Sequence, residues 1–236
     1  MGTNPTPTPA PPGLGPGTQG PTGSLAPAGA WNLGFKLSNQ SQTLALLAAG
    51  SIIGGLVGVG VLVTAVATTV IGQALADFGL SAEVGRVSVA YPSRRTVTRC
   101  YRAIALHAPL AFVVAPALYA AVGPTTPSVG FLAVIGVASA LLVATAALTA
   151  LLNGLGDFRS PALGLGSARA LSGIAAIAGA AIDPSPTIVL GTFAIGESVG
   201  LSALAWSVRK ARAGLPEGDD LPDARLKRGR AWLGAP

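Results

Sequence analysis

Two ionisable residues stand where an apolar chain should not put them. Arg169 lies several residues into an apolar run from about 161 to 182, and Glu197 is central in the next, from about 187 to 208. An ionisable group inside a membrane costs at least about 2.5 kcal/mol on insertion scales, so each is a candidate functional residue. Both runs meet at a turn near Pro184, and at about 1.5 Å per helical residue the two side chains fall at similar depth. The reading is that Arg169 and Glu197 pair or share a polar cavity. The blander alternative has Arg169 snorkelling to the inner interface while Glu197 is neutral or paired elsewhere.

Other residues with chemical potential are harder to place in a site. Gly196-Glu197-Ser198-Val199-Gly200 matches the nucleophile elbow of serine hydrolases. That chemistry needs a strand-turn-helix context and a histidine after the serine; here the surroundings are an apolar helix and the one histidine, His107, is upstream. The single cysteine, Cys100, excludes an internal disulfide, and neither it nor His107 builds a metal site alone. No phosphate-cradling Gly-x-x-x-x-Gly-Lys loop is present. A membrane-embedded enzyme would need clustered acidic residues, and Asp77, Glu83 and Asp157 form no recognisable set. The expectation is therefore no catalytic residue, no metal and no cofactor.

The elements that position Arg169 and Glu197 follow from composition. Half the 236 residues are hydrophobic and only 10% are charged, where a water-facing domain carries about 25%. Lipid must serve as part of the solvent. The net charge of +6 suits anionic lipid headgroups better than nucleic acid, because the basic residues sit at the ends of apolar runs rather than on one folded face. All but one of the 15 Lys and Arg fall in three islands: Arg86 to Arg102, Arg159 with Arg169, and Arg209 to Arg230. The connectors Gly123-Pro-Thr-Thr-Pro-Ser128 and Asp183-Pro-Ser-Pro-Thr187 have none, and Lys36 is the exception.

This alternation predicts an all-α, polytopic helical membrane protein with five transmembrane helices at about 44–76, 102–122, 129–152, 161–182 and 187–208. The basic islands go inside by the positive-inside rule, which puts the N-terminus outside, the C-terminus inside and the chain in the cytoplasmic (inner) membrane. Residues 1–40, rich in Pro, Gly and Thr, read as a disordered tail, and 211–236 as a polar basic cytoplasmic tail. The first span is taken as one long helix, since two spans and a turn do not fit between Leu44 and Ala76. Gly50, Gly54 and Gly58 then line one face, where close backbone approach would seat partner helices or a second copy. The alternative is that glycine is simply abundant. Pro109 and Pro116 fall inside the second span, where a membrane helix tolerates a kink.

Two loop segments carry a family resemblance: Ala76-Asp-Phe-Gly-Leu80, followed by Arg86, and Leu151-Leu-Asn-Gly-Leu-Gly-Asp-Phe-Arg159. They resemble the loops after the second and fourth helices of polysaccharide, or oligosaccharyl-lipid, flippases of the multidrug/oligosaccharyl-lipid/polysaccharide exporter superfamily. The resemblance covers about residues 44–210 and implies a partner, lipid-linked oligosaccharide, moved from the inner to the outer leaflet, with Arg169 near the anionic substrate. A half of such a protein begins inside and has six helices. Five helices therefore map to helices two to six, with the Pro-rich tail in place of the first and the second half absent. The competing expectations are a small non-transporting membrane anchor or assembly partner, and a truncated, non-functional fragment.

Overall fold

The computed structural model describes residues 25–217, and among these every regular element is helical. The helices are α1 (Leu25–Asp77), α2 (Leu80–Ala90), α3 (Arg94–Val122), α4 (Val129–Gly154), α5 (Gly166–Ile182), entered through one π-helical turn (Pro161–Leu165), and α6 (Pro186–Ala213). Five are long and apolar enough to cross a membrane: Gly29–Asp77, Arg94–Val122, Val129–Gly154, Pro161–Ile182 and Pro186–Ala213. The protein is thus a polytopic helical membrane protein by length and composition.

The first of these five is two helices. Gly54 (φ −165°, ψ 31°) and Gly55 (φ 56°, ψ −132°) leave helical geometry, and Gly55 sits where side chains are strongly disfavoured. The arms 25–53 and 56–77 fold back on each other. A Cβ on Gly50 would lie 3.0 Å from the Val59 Cα, and one on Gly58 would strike the Gly50 carbonyl. In an unbroken helix residues 50 and 58 stand about 12 Å apart, so only a reversal brings them together. Each arm exceeds the roughly 20 residues that span a bilayer. The two arms therefore run side by side within the bundle.

Three expectations change with this reversal. The stretch 44–76 is not one helix but the end of one arm and the whole of the next. Residues 25–40 are helical rather than part of a tail; residues 1–24 and 218–236, with the rest of both expected tails, lie outside the described residues. Gly50 and Gly58 close an internal hairpin, and Gly54 makes its turn, so the three do not form one outward face for a partner.

Packing layers show how the arms are arranged. One apolar cluster joins Leu46, Ala49, Val61, Leu62, Ala115, Tyr119, Phe131, Ala180 and Val189; these flank the turns at 54–55, 123–128 and 183–185, which form the bare end of the bundle. A second cluster joins Ala76, Leu80, Val84, Val97, Cys100, Leu148, Leu165, Leu204 and Val208, with Phe35 against it. This is the basic end. There the guanidinium of Arg159 lies 5.9 Å from the centroid of the Trp31 ring. Arg94 donates to the Leu215 carbonyl (3.1 Å) and the Ala213 carbonyl (3.3 Å) and pairs with Glu217 (3.2 Å). Residues near both ends of the described segment, Trp31 and Leu215 among them, therefore lie at the basic end.

Local chemistry explains the element boundaries. Ser93 accepts from the Thr96 N–H and Ser128 from the Phe131 N–H, capping α3 and α4. Asp77 accepts from Ser81 N–H and Asp157 from Ser160 N–H, so the two Asp-Phe loops each cap the helix that follows. Pro116 deprives the Phe112 carbonyl of its helical donor. Gly136 of α4 packs on that carbonyl so closely that a Cβ would sit 2.6 Å from its oxygen. Helix α2 buries Leu80, Val84 and Ser88 and packs on the end of α4, with Gly85 over Ala150 and Ser88 against Gly154.

Candidate functional site at mid-depth in the bundle

Between the two apolar layers lies one polar network, built by four elements. Arg169 on α5 reaches Glu197 on α6 through two parallel bonds, Nε to Oε1 at 2.5 Å and Nη2 to Oε2 at 2.9 Å. Its remaining terminal nitrogen, Nη1, donates to Asn39 Oδ1 of the first arm of α1 at 2.6 Å. The Thr145 hydroxyl on α4 donates to Glu197 Oε2 at 3.2 Å. Below the pair, Gln42 donates to Ser172 Oγ (2.9 Å), and Ser172 donates to the Arg169 carbonyl (2.9 Å). The Arg169 guanidinium lies 5.5 Å from the centroid of the Phe35 ring.

Burial makes this arrangement energetically consequential. Glu197 is 0% exposed and Arg169 8%. A lone charge there would be prohibitive, whereas a bidentate pair with its other donors and acceptors occupied can persist. Backbone packing supplies the room. Gly196, the neighbour of Glu197, packs directly on Ser172, and Gly173 admits Ala45, whose Cβ would be 3.0 Å from a Cβ at that glycine. These small residues draw α1, α5 and α6 close enough for short polar side chains to meet.

The structure thus brings Arg169 and Glu197 into direct contact, enclosed by protein rather than facing an open cavity. A groove of about 240 Å³ runs along the α5–α6 surface, lined by Ala168, Leu171, Ser172, Thr192, Ile195 and Val199 among others. It touches the network only through Ser172. The remaining candidates lie elsewhere. Ser198 Oγ donates to the Ala194 carbonyl of its own helix at 2.9 Å, and His107 Nδ1 is 2.6 Å from the Ala76 carbonyl toward the basic end. Asp77 and Asp157 act as helix caps, and Glu83 forms a 2.7 Å ion pair with Arg86 outside the bundle core. That contact raises the Arg86 pKa, first through the hydrogen bond and then through the charge of Glu83.

Sequence reasoning missed Phe35, Asn39, Gln42 and Thr145. A signal existed for the first three: 35, 39, 42, 46 and 49 recur at helical spacing, and Gln42, Leu46 and Ala49 are all buried. Thr145 had none beyond being a hydroxyl in an apolar run.

No protein-family profile, curated protein or solved structure matches the chain. Function must be argued from the site.

Proposed function

We propose that the chain is a multi-pass protein of the cytoplasmic membrane and forms a six-helix lobe of a flippase for lipid-linked oligosaccharide. One observation carries this reading: an ionisable pair held at mid-depth by α1, α4, α5 and α6. An anchor needs no charge in its core, and buried intramembrane charges mark transport paths more often than static joints. The hairpin in α1 removes the mismatch in helix number, since a flippase half has six crossings with both ends inside. The Asp-Phe loops that prompted the resemblance both lie at the basic end. Among the described residues every Lys and Arg other than Arg169 sits in the half of the bundle toward that end, which supports a cytoplasmic orientation for it.

The test is translocation of a fluorescent polyprenyl-diphosphate oligosaccharide in proteoliposomes, scored by protection from an external quencher or glycosidase. Wild-type protein should move the lipid, and Arg169→Gln or Glu197→Gln protein that is still folded should not. Translocation by both variants at the wild-type rate would sink the proposal.

A second reading, a non-transporting anchor or assembly partner, has its own supporting observation. Every guanidinium nitrogen of Arg169 already has a partner within the chain. On that reading the pair is a lock that fixes four elements, and the variants lose stability in proportion to any activity they lose.

A further inference from the structure

Helices α3 and α6 run antiparallel and meet at the basic end. Arg94 at the start of α3 holds the carbonyls of Ala213 and Leu215 beyond the last turns of α6. One to two turns inward, Val97 and Cys100 pack in the same cluster as Leu204 and Val208. Tyr101, beside Cys100, packs against that same cluster, which brings it toward the residues that follow Val208. Arg209 and Arg212 are exposed, and neither has a carboxylate in ion-pair range among the described residues. One turn before Arg209, on the same face of α6, Trp206 is 65% exposed on the apolar flank of the bundle.

From this placement we infer that Tyr101, Arg209 and Arg212 form a binding site for the phosphodiester headgroup of an anionic membrane lipid, with Trp206 against its acyl chains. Two guanidinium groups supply charge-assisted bonds to phosphate oxygens, the phenol supplies a further donor, and the indole sits where amphipathic rings favour the interface. The two arginines follow Trp206 along α6, so charge meets headgroup while the ring meets hydrocarbon. A zwitterionic lipid fits less well, because its own cation competes with the arginines for the phosphate. The site uses none of the Arg169–Glu197 network and does not depend on transport.

Trp206 can report on it. With Trp31→Phe and Trp232→Phe as background, Trp206 is the only indole, and lipids brominated in their acyl chains quench it on contact. Full-length protein would be reconstituted in phosphatidylcholine with increasing brominated phosphatidylglycerol, and separately with brominated phosphatidylcholine. At about 1 kcal/mol per basic residue near an anionic surface, the glycerol lipid should be favoured about fivefold or more. Arg209→Gln with Arg212→Gln should bring that preference to unity, while Arg209→Lys with Arg212→Lys keeps part of it and verifies that the fold is intact. Equal quenching by the two lipids in the background protein would overturn the inference. So would a preference that survives the glutamine pair, or one lost equally in Arg95→Gln with Arg102→Gln, since that means diffuse attraction rather than a site.

Discussion

Breaking the buried pair from one side should be far worse than removing it. Glu197 is fully enclosed and accepts two bonds from Arg169 and one from Thr145. In Glu197→Leu the guanidinium keeps only Asn39 among its partners and stays buried as a charge. Arg169→Met leaves the carboxylate with one hydroxyl. Loss of one partner from a buried ion pair costs about 3–5 kcal/mol, more than a hundredfold in the folding equilibrium at about 1.4 kcal/mol per tenfold. The double variant carries no buried charge. It forfeits the bonds of Asn39 and Thr145, at about 1 kcal/mol each, and regains apolar packing. It should therefore be more stable than either single variant, with a coupling free energy of at least about 3 kcal/mol. Reversible unfolding in bicelles, followed by steric trapping or by denaturant titration, would measure all four corners of the cycle. Single variants that each cost under about 1 kcal/mol, or a double variant whose cost equals the two singles combined, would refute the reasoning, because a buried charge cannot be indifferent to losing its partner.

Three further outcomes follow from the fold. With Cys100→Ser as background, cysteines at Gly29 and Gly214 should label from one side of the membrane and a cysteine at Thr126 from the other; an impermeant maleimide on intact cells should reach only Thr126→Cys. Gly55→Ala forces a side chain into φ 56°, ψ −132° and should cost about 1–3 kcal/mol, seen as a lower thermal midpoint in detergent, whereas Gly60→Ala, with nothing within 4 Å of its added Cβ, should be neutral or mildly stabilising. Arg94→Ala removes the side chain that holds two carbonyls beyond α6; with half-exposed partners the cost should be about 1 kcal/mol, and proteolysis after Gly214 should become faster while the bundle core stays protected.

The parts of the fold that could be read from sequence are those where lipid enforces a simple rule. Apolar runs of bilayer length marked α3, α4, α5 and α6, and depth counting from Pro184 placed Arg169 opposite Glu197. The hairpin escaped because its turn carries no polar residue; Gly54 and Gly55 reverse the chain within a run that is apolar on both sides. The first arm escaped for a second reason. It continues a Pro-, Gly- and Thr-rich stretch that reads as a tail, but Ser38, Ser41 and Thr43 direct their hydroxyls to carbonyls of their own helix. Asn39 and Gln42 turn inward, and Leu33, Leu37 and Leu44 face outward and exposed. Exposed Asn32, Lys36 and Gln40 stand among these leucines, so no single apolar face marks the arm in the sequence. That one oversight removed three residues from the candidate site.

The partners of Arg169 do not leave the ribosome together. Asn39 is made before it, but the carboxylate that neutralises it comes 28 residues later, on the far side of the turn at 183–185. An α5 delivered alone would enter lipid with an uncompensated arginine, against an insertion cost of at least about 2.5 kcal/mol. Helices α5 and α6 should therefore leave the insertion machinery as one unit, and a chain stalled between them should be the form that quality-control proteases recognise.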